Sequence, residues 1–289
     1  MPRSGRTGTD PSALRTAARA ALSEDRWRRD ITTEAVVPRG ARAVGRVTAQ
    51  APGVVSGLEY ARAIATVAHL SARTSLSDGD RVRAGQLVLE LRGPARSILA
   101  VERTLLNGLM HLSGVASATA KARAAVGPDG PEVWATRKTL PGLRDLEKGA
   151  VVDGGGHPHR RDLSDGLLVK NNHLALVPLA DAVRRARARA RGRRVQVEVR
   201  TLAEAVAAVD SGADSLLVDN ASPADATRLI DGLSKAGRRA GLHVELSGGI
   251  TPANAGAYRR TGADALSLGA LTHSAPALPF HLTLTPVRR

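Results

Sequence analysis

Cysteine is missing from all 289 residues, which excludes disulfides, thiolate nucleophiles and cysteine-ligated metals and suits a reducing compartment, so a cytoplasmic protein is expected. Aromatic residues make up only 2% of the chain, too few for base-stacking surfaces on single-stranded nucleic acid or for an aromatic belt at a membrane interface. No apolar run approaches the length that spans a bilayer, and MPRSGRTGTDPS at the start lacks the hydrophobic segment of a secretory signal. Acidic residues are also short, with 27 Asp and Glu against 42 Lys and Arg for a formal charge of +15. Such a balance fits nucleic acid, acidic lipid or a polyanionic small substrate. The arginine-rich run RRARARARGRR at 184–194 reads more simply as the solvated face of an amphipathic helix.

What the chain does hold is a soluble globular composition, 43% hydrophobic and 24% charged, long enough for one large or two ordinary domains. Residues 11–21 space their apolar positions as a short helix, and EDRWRRDITTEAVVP reads as a turn leading into a strand. Between 43 and 91, strand-like VGRVTAQ and GQLVLEL flank a helical segment at 58–70. A long helix is predicted from 95 to about 123, with Ile98, Val101, Leu105, Leu109 and Leu112 on one stripe. After Gly127 short apolar strands alternate with helices: EVWAT, GLLVK, VQVEV, SLLVD, LHVEL and ALSL, with a candidate extra strand near Val151. Thr201 with Glu204 reads as a capping box, and Ser222-Pro223 and Thr251-Pro252 each place a cap residue before a first-turn proline. This alternation implies a parallel sheet, either a closed or nearly closed α/β barrel or an open doubly wound sheet.

The polar residues sort to one end of the strands. In order, the strands deliver Thr136-Arg137-Lys138, Lys170, Glu198, Asp219-Asn220, Glu245 with Ser247-Gly248-Gly249, and Gly269-Ala270. That is the end where α/β barrels place their sites. Residues 136–173 alone gather Arg137, Lys138, Arg160 and Lys170 with His157, His159 and the glycines 154–156. Buried or half-buried cations need partners, and the nearby carboxylates are too few, so an anionic ligand is expected. Glycine turns at two strand ends suit a phosphate cradle. Glu198 and Asp219 read either as Mg²⁺ or sugar ligands or as neutralising partners of Lys138 and Lys170. No carboxylate or third histidine stands at transition-metal spacing from His157 and His159, so His159 is expected to donate to an anion beside Arg160.

The segments ERTLLNGLMHLSG, TRKTLPGLRDLEK, GGGHPHR, LSDGLLVKNNH, SLLVDN, SGGIT and GALTHSAPAL, in that order, give the chain a resemblance to the quinolinate phosphoribosyltransferases, running from about residue 21 to 284. The resemblance implies a loose tail at 1–12, an N-terminal α/β sandwich at 13–112 joined by a C-terminal strand at 275–289, and an incomplete, TIM-like α/β barrel at 113–274. It implies phosphoribosyl transfer from 5-phosphoribosyl 1-pyrophosphate to quinolinate with decarboxylation, giving nicotinate mononucleotide, pyrophosphate and CO2 in NAD biosynthesis. By motif, Arg103, Arg137, Lys138, His159, Arg160 and Lys170 bind the substrate carboxylates and donor phosphates. Glu198 and Asp219 sit by the ribose and Mg²⁺, and Ser247, Gly248, Gly249, Gly269 and Ala270 hold the 5-phosphate. Lys138, Glu198 and Asp219 are the candidate catalytic residues. The resemblance also implies a homodimer, or a larger assembly of dimers, in which Arg103 reaches the partner's site, with no nucleic-acid or membrane partner. The chain departs from the family pattern at Arg29 (usually glycine), Pro158 (usually asparagine), Asn171 (usually an acid) and Gln196 (often an acid). GGGHPHR is also similar to the matching segment of ModD, a paralogous family associated with molybdenum uptake genes. A basic nucleic-acid-binding protein is the reading from a different class.

Overall fold

In a computed structural model that describes residues 10–287, the elements run in chain order as follows. The first part holds α1 (Pro11–Glu24), α2 (Ile31–Val36), β1 (Arg42–Ala49), β2 (Gly53–Val54), α3 (Leu58–Val67), β3 (Ser71–Arg73), β4 (Arg81–Val82), β5 (Leu87–Pro94) and α4 (Ala95–Val126). Then come β6 (Glu132–Trp134), α5 (Arg144–Asp153), β7 (Leu167–Val169), α6 (Asn171–Leu174), α7 (Leu179–Ala188), β8 (Val195–Val199), α8 (Leu202–Asp210), β9 (Ser215–Asp219), α9 (Pro223–Lys235), β10 (His243–Ser247), β11 (Ala265–Ser267), α10 (Ala270–His273) and β12 (Phe280–Pro286). They fall into two units, one drawn from residues 1–120, 140–155 and 275–289, the other from 121–139 and 156–274. No helix among the described residues is long and apolar enough to cross a membrane.

The first unit is built on an antiparallel sheet ordered β12-β1-β5-β3. Its last strand comes from the far end of the sequence: Val47 pairs with Leu282 and Ala49 with Phe280. Leu14, Ala18 and Leu22 recur every four residues along α1 and are buried, so that helix turns one apolar stripe inward. On α4 the stripe Ile98, Val101, Leu105, Leu109 and Leu112 is likewise buried. Its apolar spacing therefore marks the face that packs.

The second unit is a six-stranded parallel sheet ordered β6-β11-β10-β9-β8-β7. Consecutive strands are neighbours from β7 to β11, and β6 then pairs with β11, which is the circular order of an α/β barrel left open between β6 and β7. In that seam His157 makes a single parallel bridge with Trp134. The His157 N–H donates to the Val133 carbonyl at 2.8 Å, and Ala135 N–H to the His157 carbonyl at 2.8 Å. The incomplete barrel expected from sequence is thus the architecture found.

Helix caps fall largely where expected. Thr201 and Glu204 form a reciprocal capping box on α8, and Ser222 caps α9 with Pro223 in its first turn. The arginine run ends α7, whose Ala182 and Val183 are buried while Arg187 pairs with Asp214.

Four local expectations are corrected. ITTEAV is helix α2 and not the approach to a strand, because Asp30 accepts the Thr33 N–H at 2.9 Å and nucleates a turn that the β-branched residues alone do not announce. Val151 lies inside α5, where it is buried as part of a helical face and not as a strand. Thr251-Pro252 opens turns and a short 3₁₀ segment at Ala255–Tyr258, since the Asn254 side chain folds back to accept the Thr251 N–H. Of the tail expected at 1–12, residues 1–9 lie outside the described residues, whereas Asp10 accepts the Ser12 N–H and Pro11 begins α1.

Candidate active site

Strand register levels the polar residues at the carboxyl end of the second unit. Ser247 closes β10 opposite Asp219, the last residue of β9, and on its other side opposite Ser267, the last residue of β11. Trp134, the last residue of β6, pairs with Ser267 in turn. Residues two apart in a strand share a face, so Glu245 and His243 line the same face as Ser247, with Gln196 and Glu198 of β8 and Ser215 and Asp219 of β9 in register beside them. A barrel interior is ordinarily filled with branched apolar side chains. Here the lining is polar.

Its centre is Glu245, only 1% exposed. One carboxylate oxygen accepts from the Gln196 side-chain amide at 2.7 Å. The other lies 3.3 Å from Nε2 of His159, within ion-pair distance although the angle falls short of a hydrogen bond. Nδ1 of His159 accepts the backbone N–H of Arg160 at 2.6 Å. His159 holds this arrangement with a positive φ of 54°. Trp134 fixes the ring from the side, edge-on at 5.4 Å, and also packs against His157 and His243 at 5.6 Å each. Both nitrogens of His159 therefore face protein groups, where the sequence suggested a donor to an outside anion.

Arg160 and Arg137 come together. Burial holds the Arg160 guanidinium below its usual range and nearby Arg137 lowers it further, with Asp165 and Glu245 acting the opposite way. One arm of Arg160 donates to the Gly166 carbonyl at 3.2 Å. Nε of Arg137 is buried with no acceptor. A buried donor without a partner costs about 1–3 kcal/mol, and the charge of Arg137 acts against that of Arg160, so this pair can accept a doubly negative guest.

Lys138 is placed by the neighbouring strand end. Its carbonyl accepts the Thr272 hydroxyl at 2.8 Å, and its own stem crosses Gly269 so closely that a Cβ there would meet it at 2.9 Å. Gly269 is the residue before α10, and Ala270 is the first residue of that helix. Gly248 and Gly249 adopt φ of 94° and 64°, a conformation costly for any residue with a Cβ. A Cβ on Gly248 would also lie 2.2 Å from the Asn220 side-chain oxygen. The turn is pinned by the Asn220 N–H donating to the Ser247 carbonyl and by Asn254 donating to the Gly249 carbonyl.

Asp219 accepts from Arg200 at 3.1 Å, a residue that sequence reasoning passed over. Glu198 is half-buried at the lip of the sheet. Lys170 follows β7 directly, is exposed, and donates its backbone N–H to Nδ1 of His173 at 2.8 Å. Arg103 is an exposed residue of α4 in the first unit. No group of three or more His, Cys, Asp or Glu able to hold a metal occurs among the described residues. A Mg²⁺ held by one or two carboxylates, waters and substrate phosphates needs no such cluster, and Glu198 and Asp219 fit that type of donor set.

Comparison with known proteins identifies the family. Residues 30–113 match the N-terminal domain model of quinolinate phosphoribosyl transferase, and residues 115–283 match the C-terminal domain model. The chain is 41% identical to a probable nicotinate-nucleotide pyrophosphorylase [carboxylating] of Methanothermobacter thermautotrophicus, over 88% of this chain and 93% of the relative. It is 39% identical to the nicotinate-nucleotide pyrophosphorylase [carboxylating] of Mycobacterium leprae, over 94% of this chain and 97% of the relative. Among solved structures, NadC from Streptococcus pyogenes superposes with a TM-score of 0.89 at 38% identity, covering 98% of this chain and all of that one. Two domain models in sequence and relatives matched over nearly their full length show that the chain belongs to the quinolinate phosphoribosyl transferase family.

Proposed function

We propose that this chain transfers phosphoribose from 5-phosphoribosyl 1-pyrophosphate to the ring nitrogen of quinolinate and releases pyrophosphate and CO2, leaving nicotinate mononucleotide for NAD biosynthesis. The enzyme is a pentosyltransferase. The observation that carries the reading is the half-buried Arg137–Arg160 pair with the unpartnered Nε of Arg137, which calls for a ligand with two adjacent carboxylates.

Placement supports the roles proposed for these residues. Arg137 and Arg160 grip the dicarboxylate and turn its nitrogen toward the anomeric carbon, which removes much of the orientational barrier. His159 lends its ring to holding Arg160, and Lys170 adds positive charge at the strand end beside it. Lys138, exposed next to Gly269, meets the donor's phosphates, while Ser247 and the turn at Gly248 and Gly249, with Gly269 and Ala270, receive the 5-phosphate through bare backbone N–H groups. Glu198 and Asp219 bind the ribose hydroxyls and stabilise the positive charge that develops at the anomeric carbon. They would also hold Mg²⁺, which when bound neutralises the departing pyrophosphate.

The bond from the ring nitrogen to the anomeric carbon forms as the bond to pyrophosphate breaks. The nitrogen is then positively charged, so the neighbouring carboxylate leaves as CO2 and its electron pair rests on the adjacent ring carbon until solvent supplies a proton. No side chain has to act as nucleophile. Arg103, on the exposed face of α4, is proposed to serve the site of a second subunit in a homodimer, and a cytoplasmic location suits a chain with no cysteine.

The test is direct. Purified protein with quinolinate, 5-phosphoribosyl 1-pyrophosphate and Mg²⁺ is expected to yield nicotinate mononucleotide and CO2 in equal amounts, and nicotinate in place of quinolinate is expected to yield nothing. Product from nicotinate, or none from quinolinate, would overturn the reading.

A further inference from the structure

We infer that Glu245 is a positioning residue for Arg160, acting through His159 and held in place by Gln196. The inference deepens the function proposed above and rests on it. The four residues form one chain of contacts inside the second unit. The Gln196 amide donates to one oxygen of Glu245 at 2.7 Å, the other oxygen faces Nε2 of His159 at 3.3 Å, and Nδ1 of His159 accepts the Arg160 N–H at 2.6 Å. Because Nδ1 is an acceptor, the neutral ring carries its proton on Nε2. That puts the N–H-bearing nitrogen 3.3 Å from a carboxylate which is 1% exposed and has no solvent to turn to. Glu245 thereby selects the tautomer, and the tautomer decides whether Nδ1 can hold the backbone of Arg160.

The arrangement is particular in its use of an amide at position 196. An N–H of Gln196 satisfies an oxygen of Glu245 without adding charge, so the buried site holds one negative group and not two. A carboxylate at 196 would stand 2.7 Å from a second carboxylate, and like charges at that distance do not both remain ionised. Trp134 completes the clamp by pressing edge-on against the His159 ring at 5.4 Å, which opposes the ring flip that would put carbons where the two nitrogens stand.

Two measurements test this. The first needs no turnover: ¹⁵N spectra of the imidazole rings, with His159 assigned through His159→Gln. Wild type is expected to show the Nε2–H tautomer and Glu245→Ala a mixture of tautomers. An unchanged His159 signal in Glu245→Ala would overturn the inference. The second is kinetic. Glu245→Ala and Gln196→Glu are each expected to raise KM for quinolinate roughly tenfold, the scale of one misplaced hydrogen bond to a charged group, with KM for the phosphoribosyl donor nearly unchanged. The double variant Gln196→Glu/Glu245→Gln keeps every donor facing an acceptor and has the wild-type shape, so it is expected to fold and to recover most of the lost affinity. A double variant no better than Glu245→Ala, or KM values for both substrates rising together, would refute a positioning role. If wild type forms no nicotinate mononucleotide, the proposed function fails while the ring spectra still decide whether Glu245 sets the His159 tautomer.

Discussion

Asp78 is a carboxylate that the folded chain holds at a disadvantage, and replacing it with asparagine measures how much. Its side chain accepts the Leu58 N–H at 2.9 Å and so caps α3 from twenty residues away, because Gly57 at the cap position has no side chain to do so. Burial raises the Asp78 carboxyl from 3.8 to about 6; the Leu58 N–H works against that rise, and the negative charges of Asp153 and Glu59 add to it. A carboxyl raised on folding binds its proton in the native chain at pH values where the unfolded chain has released it. Its contribution to stability is therefore largest in acid and is lost as pH climbs from about 4 to about 6. A shift of this size corresponds to about 3 kcal/mol, and solvent reaching a partly exposed group brings it nearer to 2 kcal/mol.

Asp78→Asn keeps an oxygen for the Leu58 N–H and carries no charge at any pH. Urea melts of both proteins, taken at half-unit steps from pH 4 to pH 8, differ in this carboxyl and in its coupling to Asp153 and Glu59. The variant is expected to gain about 2–3 kcal/mol on wild type across that range. Parallel curves, or a gap that opens in wild type's favour toward alkaline pH, would refute the placement of Asp78 as a half-buried, charge-crowded cap.

Three further outcomes test the site. Lys138→Ala is expected to lower turnover at least a hundredfold with an unchanged melting temperature, since its side chain is exposed and its stem lies over Gly269; near wild-type rates would remove it from the phosphate-binding set. Gly248→Ala meets both a positive φ and the Asn220 side chain. It is expected to raise KM for 5-phosphoribosyl 1-pyrophosphate more than tenfold while quinolinate binding measured by calorimetry stays the same. Mixing Arg103→Ala with Lys138→Ala, each inactive alone, is expected to restore up to about a quarter of wild-type activity if a second subunit supplies Arg103, and no recovery would count against shared sites.

Much of the fold was legible because its signals are local. The stripe along α4, the capping box at Thr201 and Glu204, and the Ser222-Pro223 cap each depend on spacing within one segment. ITTEAV was misread because its helix is six residues long and is started by a single Asp30 contact, below the length at which periodicity speaks. AVV around Val151 shows the same ambiguity of a short apolar run, which a strand or a buried helix face uses equally well. In the site, charges at strand ends could be read from the two-residue period alone. The contacts that organise them could not. Arg200 on Asp219, Gln196 on Glu245 and Trp134 among three histidines join residues from different segments, and only strand register brings them level.

The pairing of β12 with β1 has a consequence for biosynthesis. On a ribosome, β1 emerges early, but the strand that covers its outer edge is made only after the whole parallel sheet. Throughout that interval a row of backbone groups stands open to neighbouring nascent chains, a hazard that short exposure and rapid docking of 280–286 would limit. Chains cut short before Phe280 are thus expected to self-associate, however sound the parallel sheet they already carry.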